Sequence, residues 1–132
     1  MVFISEDVIP IEKFENMLKD DSAGGIVVFL GEPRRGKEDG AVVSIHYTAY
    51  REMAEKEMLK IEKEAKERFG VKNIVIAHRL GDIPLKTISF FVGVSAPHRK
   101  ECFEACAWIV DQVKLFVPIW KEIRYERNGN CK

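Results

Sequence analysis

Apolar and polar positions recur with two different periods along this chain, and those periods divide it into elements. Between Ser95 and Pro118, Phe103, Cys106, Ile109, Val110, Val113 and Phe116 repeat at mostly three- and four-residue spacing. That spacing places them on one stripe of an amphipathic helix. Ser95 suits a cap and Pro97 a first helical turn. Pro118 lacks an N–H to donate and ends the helix. A second helix is predicted over residues 51–69, where Ala54, Met58, Ile61, Ala65 and Phe69 form the apolar stripe and Gly70 supplies a C-terminal cap. Its many Glu and Lys residues form a solvated face with i,i+4 pairs. A short helix over residues 10–19 carries Ile11, Phe14 and Leu18 on one face.

Between the helices, β-branched and aromatic runs predict strands at residues 2–4, 26–30, 41–47, 71–78 and 87–95, and again from Ile119 onward. Residues 26–30 are apolar throughout, as a buried strand is, whereas Val43, Ile45 and Tyr47 alternate onto one face. Residues 80–84 read as a connection, and residues 32–40 as a charged loop with one proline and two glycines. Strand neighbours joined by short loops favour antiparallel pairing. The expected class is therefore α+β: a mainly antiparallel sheet packed with three helices, in a single domain over residues 1–132.

Composition narrows the function. Acidic and basic residues balance at 21 each, unlike the strong basic excess usual in a nucleic-acid binder. No apolar run approaches the ~18 residues of a membrane span. The first residues carry acids where a signal peptide has bases. The expected setting is the cytoplasm, with no membrane and no nucleic acid. Cys102 and Cys106 lie one helical turn apart and Cys131 near the end. Three cysteines without a signal peptide are not a disulfide framework. Without convergent histidines they make no zinc site by spacing. Small buried or half-buried thiols are expected, and no metal.

The chemistry that remains is cationic. His98 and Arg99 fall in the first turn of the long helix, where free N–H groups and the helix dipole favour an anion. Lys114 lies beside the apolar stripe, a placement compatible either with a snorkelling lysine or with a desolvated nucleophile or proton shuttle. Lys121 follows Trp120 just after Pro118, in a rigid setting. Arg34 sits in the charged loop, and its planar fork suits phosphate or carboxylate. His46 and His78, both in strands, are expected to be structural.

Taken in order, these residues resemble a known family. His98-Arg99, then Lys114, then Pro118-x-Trp120-Lys121 is similar to the large, catalytic subunit of molybdopterin synthase. Phe29-x-Gly31-x-x-Arg34, Tyr50-x-x-Met53-Ala54, His78-Arg79-x-Gly81 and the strand from Phe91 to Ser95 follow the same family order. The resemblance spans about Gly25 to Glu122. It implies a sulfurtransferase of molybdenum cofactor biosynthesis. Sulfur would pass from a thiocarboxylated, ubiquitin-like small subunit to cyclic pyranopterin monophosphate, forming the molybdopterin dithiolene. It further implies Lys114 and Lys121 as catalytic residues, Arg34, His98 and Arg99 as substrate-binding residues, and neither metal nor organic cofactor. Glu32-Pro33 stands where the family usually has apolar residues, and Lys86-Thr87 where it often has a glycine–acid pair. These departures, with the short end of the chain, motivate an alternative: a non-catalytic homologue that binds the small subunit or an anionic pterin as a scaffold.

Helix geometry adds one expectation. His98 and Lys114 are sixteen positions apart, which on a straight helix is ~24 Å along the axis. One small substrate cannot easily meet both within one chain. The expected assembly is a two-fold homodimer in which His98 and Arg99 of one subunit approach Lys114 and Lys121 of the other. With one small subunit at each site it becomes a heterotetramer.

Overall fold

The computed structural model describes residues 1–35 and 42–125. Most of the charged loop and the terminal residues 126–132, with Cys131, lie outside the described residues. Strands β1 (Val2–Ser5), β2 (Gly25–Gly31), β3 (Val42–Ala49), β4 (Asn73–Arg79), β5 (Gly81–Pro84), β6 (Phe90–Ala96) and β7 (Ile119–Tyr125) alternate with helices α1 (Ile11–Leu18), α2 (Arg51–Phe69) and α3 (Arg99–Phe116). The class is α+β, with three helices and mostly antiparallel strands, as the periodicity predicts. The strands form two sheets rather than one. The first runs β1-β4-β6-β2, with β1 parallel to β4 and the other pairs antiparallel. The second runs β5-β3-β7 and is wholly antiparallel.

The first sheet is covered on both faces, which is why β4 and β6 read as continuous apolar runs. Alternate residues point oppositely. Ile74, Ile76, Val92 and Val94 therefore join one cluster with Ala54, Met58, Ile61 and Ala65 of α2 and with Cys102, Ala105, Cys106, Ile109 and Val113 of α3. Val75, Ala77 and Phe91 face the other way, onto Phe14 and Leu18 of α1. Two aromatic edges tie that second cluster together, Phe3 on Phe14 and Phe14 on Phe91, at centroid distances of 5.3 and 5.6 Å.

Three expectations are corrected. First, β2 and β3 are sequence neighbours but do not pair: β2 joins β6, and β3 joins β5 and β7. Second, residues 80–84 are not a plain connection, because Gly81–Pro84 form β5. After β4 the chain crosses from the first sheet to the second at Leu80, and Gly81 takes φ +91° there, a conformation that a side chain disfavours. Third, the long helix starts later than Ser95. Ser95 and Ala96 still belong to β6, paired with Ile26 and Gly25 of β2. The ladder uses their backbone, so His98 takes the cap position and Arg99 the first turn. The Glu101 carboxylate accepts a hydrogen bond from the His98 N–H at 2.7 Å, which satisfies one exposed donor of the helix start.

The stripe of α3 is also narrower than the apolar pattern suggests. Cys106, Ile109 and Val113 are buried, but Phe103 and Phe116 are 61% and 59% exposed. Cys102 and Ala105 complete the packed face in their place. The two thiols are structural, as expected. The Cys102 Sγ donates to the Val94 carbonyl at 3.1 Å and the Cys106 Sγ to that of Val92 at 3.7 Å. Burial pushes the Cys106 thiol up to about 11.

Candidate active site

A cavity of about 360 Å³ lies beside the last turn of α3, lined by residues of both sheets. Each wall comes from a different element. Phe29 and Gly31 close β2, and Glu32 follows them. Tyr47 comes from β3, His78 from β4, Phe90 from the start of β6 and Ser89 from just before it. Val113 and Lys114 come from α3, and Ile119 and Lys121 from β7. Pro118 explains why the two lysines converge. It stops α3 one turn past Lys114 and sends the chain into β7, whose pairing of Lys121 with Tyr47 holds that strand against β3.

The floor is aromatic and tightly layered. The His78 imidazole stacks on Phe90 at 5.4 Å between centroids, 30° from parallel, and meets Tyr47 edge-on at 4.7 Å. Phe29 sets its edge against Phe90 at 5.8 Å. The Lys114 Nζ lies over the same Phe90 ring, 5.7 Å from its centroid, so cation–π attraction helps place it. His78 is only 7% exposed. Its Nδ1 lies 2.9 Å from the Arg79 carbonyl oxygen. Burial lowers its pKa to about 4; the Arg79 hydrogen bond opposes that shift and the Lys114 charge adds to it. Tyr47 is pushed upward by burial, against a hydrogen bond with Ser89.

Lys114 and Lys121, read separately in the sequence, are thus brought to one cavity. Arg34 is exposed, two positions beyond Glu32, and does not line it. Its neighbour Arg35 is committed to the backbone, donating from Nη2 to the Val42 carbonyl at 3.0 Å. His98 and Arg99 are at the opposite end of an unbroken α3 from Lys114. Sequence reasoning set His78 aside and did not single out Glu32, Tyr47 or Ser89 for the site. For His78 the only local signal was its place at the end of a strand within His78-Arg79-x-Gly81. His46 does not line the cavity; its Nδ1 lies 2.7 Å from the Asp82 carboxylate across the β3–β5 pair. Among the described residues no group of three or more His, Cys, Asp or Glu side chains is placed to hold a metal ion. Among the described residues no helix is long and apolar enough to cross a membrane.

Comparison with known proteins places this geometry. Residues 4–115 match the family model described as MoaE protein. The chain is 47% identical over 111 residues to a molybdopterin synthase catalytic subunit of Pyrococcus abyssi, covering 84% of this chain and 75% of that one. It is 37% identical over 125 residues to that of Thermoplasma volcanium, covering 95% and 90%. Other relatives are longer: the chain spans 61% of the rice protein and 36% of the Drosophila virilis one. The crystal structure of molybdopterin synthase from Staphylococcus aureus superposes with a TM-score of 0.88 at 31% identity, covering 95% of this chain and 91% of that one. A molybdopterin biosynthesis MoaE protein from Burkholderia ambifaria gives 0.82 at 26% identity, covering 98% and 84%. By its matched motifs, its fold and these relatives, the chain belongs to the MoaE family, that of the molybdopterin synthase catalytic subunits.

Proposed function

We propose that this chain is a sulfurtransferase, the catalytic subunit of a molybdopterin synthase. It transfers sulfur from a thiocarboxylated, ubiquitin-like small subunit to cyclic pyranopterin monophosphate and so forms the molybdopterin dithiolene. The observation that carries this reading is the convergence of Lys114 and Lys121, from α3 and β7, on one cavity. A cavity of about 360 Å³ is within the range of small-molecule sites. Two ammonium groups match the two anionic features of the reaction, the partner's tail (thio)carboxylate and the cyclic phosphate.

Lys114 is the principal catalytic residue. Its head group, set over Phe90, engages the partner's C-terminus and moves the protons of transfer. Lys121 stabilises the charge that develops as sulfur leaves the tail carbonyl and an oxygen from water replaces it. The donor's activated sulfur supplies the reactivity, so the chemistry asks for neither metal nor organic cofactor. Arg34, His98 and Arg99 hold substrate anions. The last two come from the partner protomer of a homodimer, since α3 runs unbroken between them and Lys114. Exposed apolar residues at both ends of that helix, Phe103 at one and Leu115, Phe116 and Trp120 near the other, suit contact with a second copy and with the small subunit. Residues 1–132 act as one domain, in the cytoplasm, in a heterotetramer of two large and two small subunits.

Single-turnover conversion of the cyclic pterin by the protein with a thiocarboxylated partner tests the reading. Product is expected, and none when the partner's C-terminal tail is truncated or amidated. Lys114→Ala is expected to fold normally and to lose turnover. Efficient binding of the partner with no conversion by the unaltered protein would instead establish the scaffold alternative.

A further inference from the structure

The His78 imidazole lines the cavity, and its backbone contact fixes its tautomer. The Arg79 carbonyl oxygen can only accept, so Nδ1, 2.9 Å away, carries the proton. In the neutral ring that leaves Nε2 as a lone-pair acceptor. Among the described residues Nε2 has no hydrogen-bond partner, and the only side-chain polar atom sealed from solvent without one is the Ser95 Oγ. Nε2 therefore opens into the cavity that His78 lines. The ring is clamped between Phe90 and Tyr47, so its direction is set. Lys114 leans on the same Phe90 ring.

We propose that His78 is a positioning residue for Lys114: its neutral imidazole offers Nε2 to the Lys114 ammonium, directly or through one water, and aims that group into the cavity without cancelling its charge. This inference rests on the assignment of Lys114 as the catalytic residue. A neutral acceptor matters here because a carboxylate in its place would pair with the ammonium. The pair would quench the field that attracts an anionic tail and would hold the lysine's proton more tightly. The surroundings keep the imidazole neutral. It is buried, and the charge of Lys114 disfavours a second cation beside it. The ionisable groups facing the cavity from other elements are Glu32 beyond β2, Tyr47 of β3, Lys114 of α3 and Lys121 of β7. On its own strand, Arg79 donates instead to the Glu6 carbonyl at 3.1 Å.

The test combines substitutions at position 78 with the pH profile of single-turnover sulfur transfer and with ¹⁵N NMR of the imidazole. His78→Gln keeps a neutral acceptor and is expected to stay within about threefold of the unaltered rate. His78→Leu fills the space without one, and is expected to lose at least tenfold in turnover with the KM for the small subunit unchanged. His78→Glu is expected to shift the alkaline limb of the profile upward by about one pH unit. In the unaltered protein NMR is expected to report the Nδ1–H tautomer, and the Nε2 resonance is expected to move in Lys114→Ala. Equal rates for the Leu and Gln variants, an unmoved Nε2 resonance, or the Nε2–H tautomer would overturn the inference. The NMR arm needs no variant at position 78 to fold. Full activity in Lys114→Ala would instead remove the catalytic assignment itself. An inactive Lys114→Ala beside an active His78→Leu would remove only the role of His78.

Discussion

At the scale of single residues, the same burial that keeps His78 neutral makes it a source of acid sensitivity. Its pKa is about 4 in the folded chain against 6.5 unperturbed. Between those values the unfolded chain binds the extra proton and the folded one does not. The contribution of His78 to stability is therefore full well above pH 6.5. It falls as pH drops below that value and levels off below about 4. A difference of this size corresponds to roughly 3 kcal/mol at the acid limit. Urea unfolding at steps from pH 7 to pH 4 is expected to show that slope, and His78→Gln is expected to flatten it even though the variant differs in absolute stability. An unchanged slope in the variant would assign the acid sensitivity to other groups. This residue also shows where sequence reading stops. Lys114 and Lys121 were legible because the helix stripe and the proline fix their places in the chain. His78 was not, because its character comes from Tyr47, Phe90 and Lys114, three residues far from it in sequence.

Among elements, period and punctuation carried most of the information. The span of α2 was readable to its ends, with Gly70 in the left-handed cap at φ +66°. The start of α3 was not, since the capping chemistry of Ser95 is overridden by its pairing to β2 and β4. Nor was the division into two sheets, because pairing partners are chosen by packing across the whole domain rather than by loop length. The crossing between the sheets gives a local test. Gly81→Ala places a side chain at φ +91° and is expected to cost about 1–2 kcal/mol, read as a lowered urea midpoint with unchanged m-value. No loss would mean that the crossing relaxes freely and does not anchor β5. The corrected stripe of α3 gives another. Ile109→Ala removes a fully buried side chain and is expected to cost about 2–5 kcal/mol. Phe103→Ala, on the exposed side, is expected to change the stability of the isolated chain by less than about 0.5 kcal/mol.

For the whole molecule, the length of α3 is the governing fact. It runs unbroken from Arg99 to Phe116, and each residue adds about 1.5 Å. His98 and Arg99 at one end of it and Lys114 at the other therefore cannot close on one small substrate within one chain. If His98 and Arg99 serve the proposed site, two chains related by a two-fold axis are needed to complete two cavities. Phe103→Ala, silent in the isolated chain, is then expected to weaken self-association in sedimentation. The most direct test uses a mixed dimer in which one chain carries Arg99→Ala and the other Lys114→Ala, each chain tagged so that only mixed dimers are assayed. If the site is shared, one cavity draws both its functional groups from unaltered positions and the other holds both lesions. About half of the unaltered activity is then expected from independent sites. If each site lies within one chain, both cavities carry one lesion, and activity near zero would contradict the account.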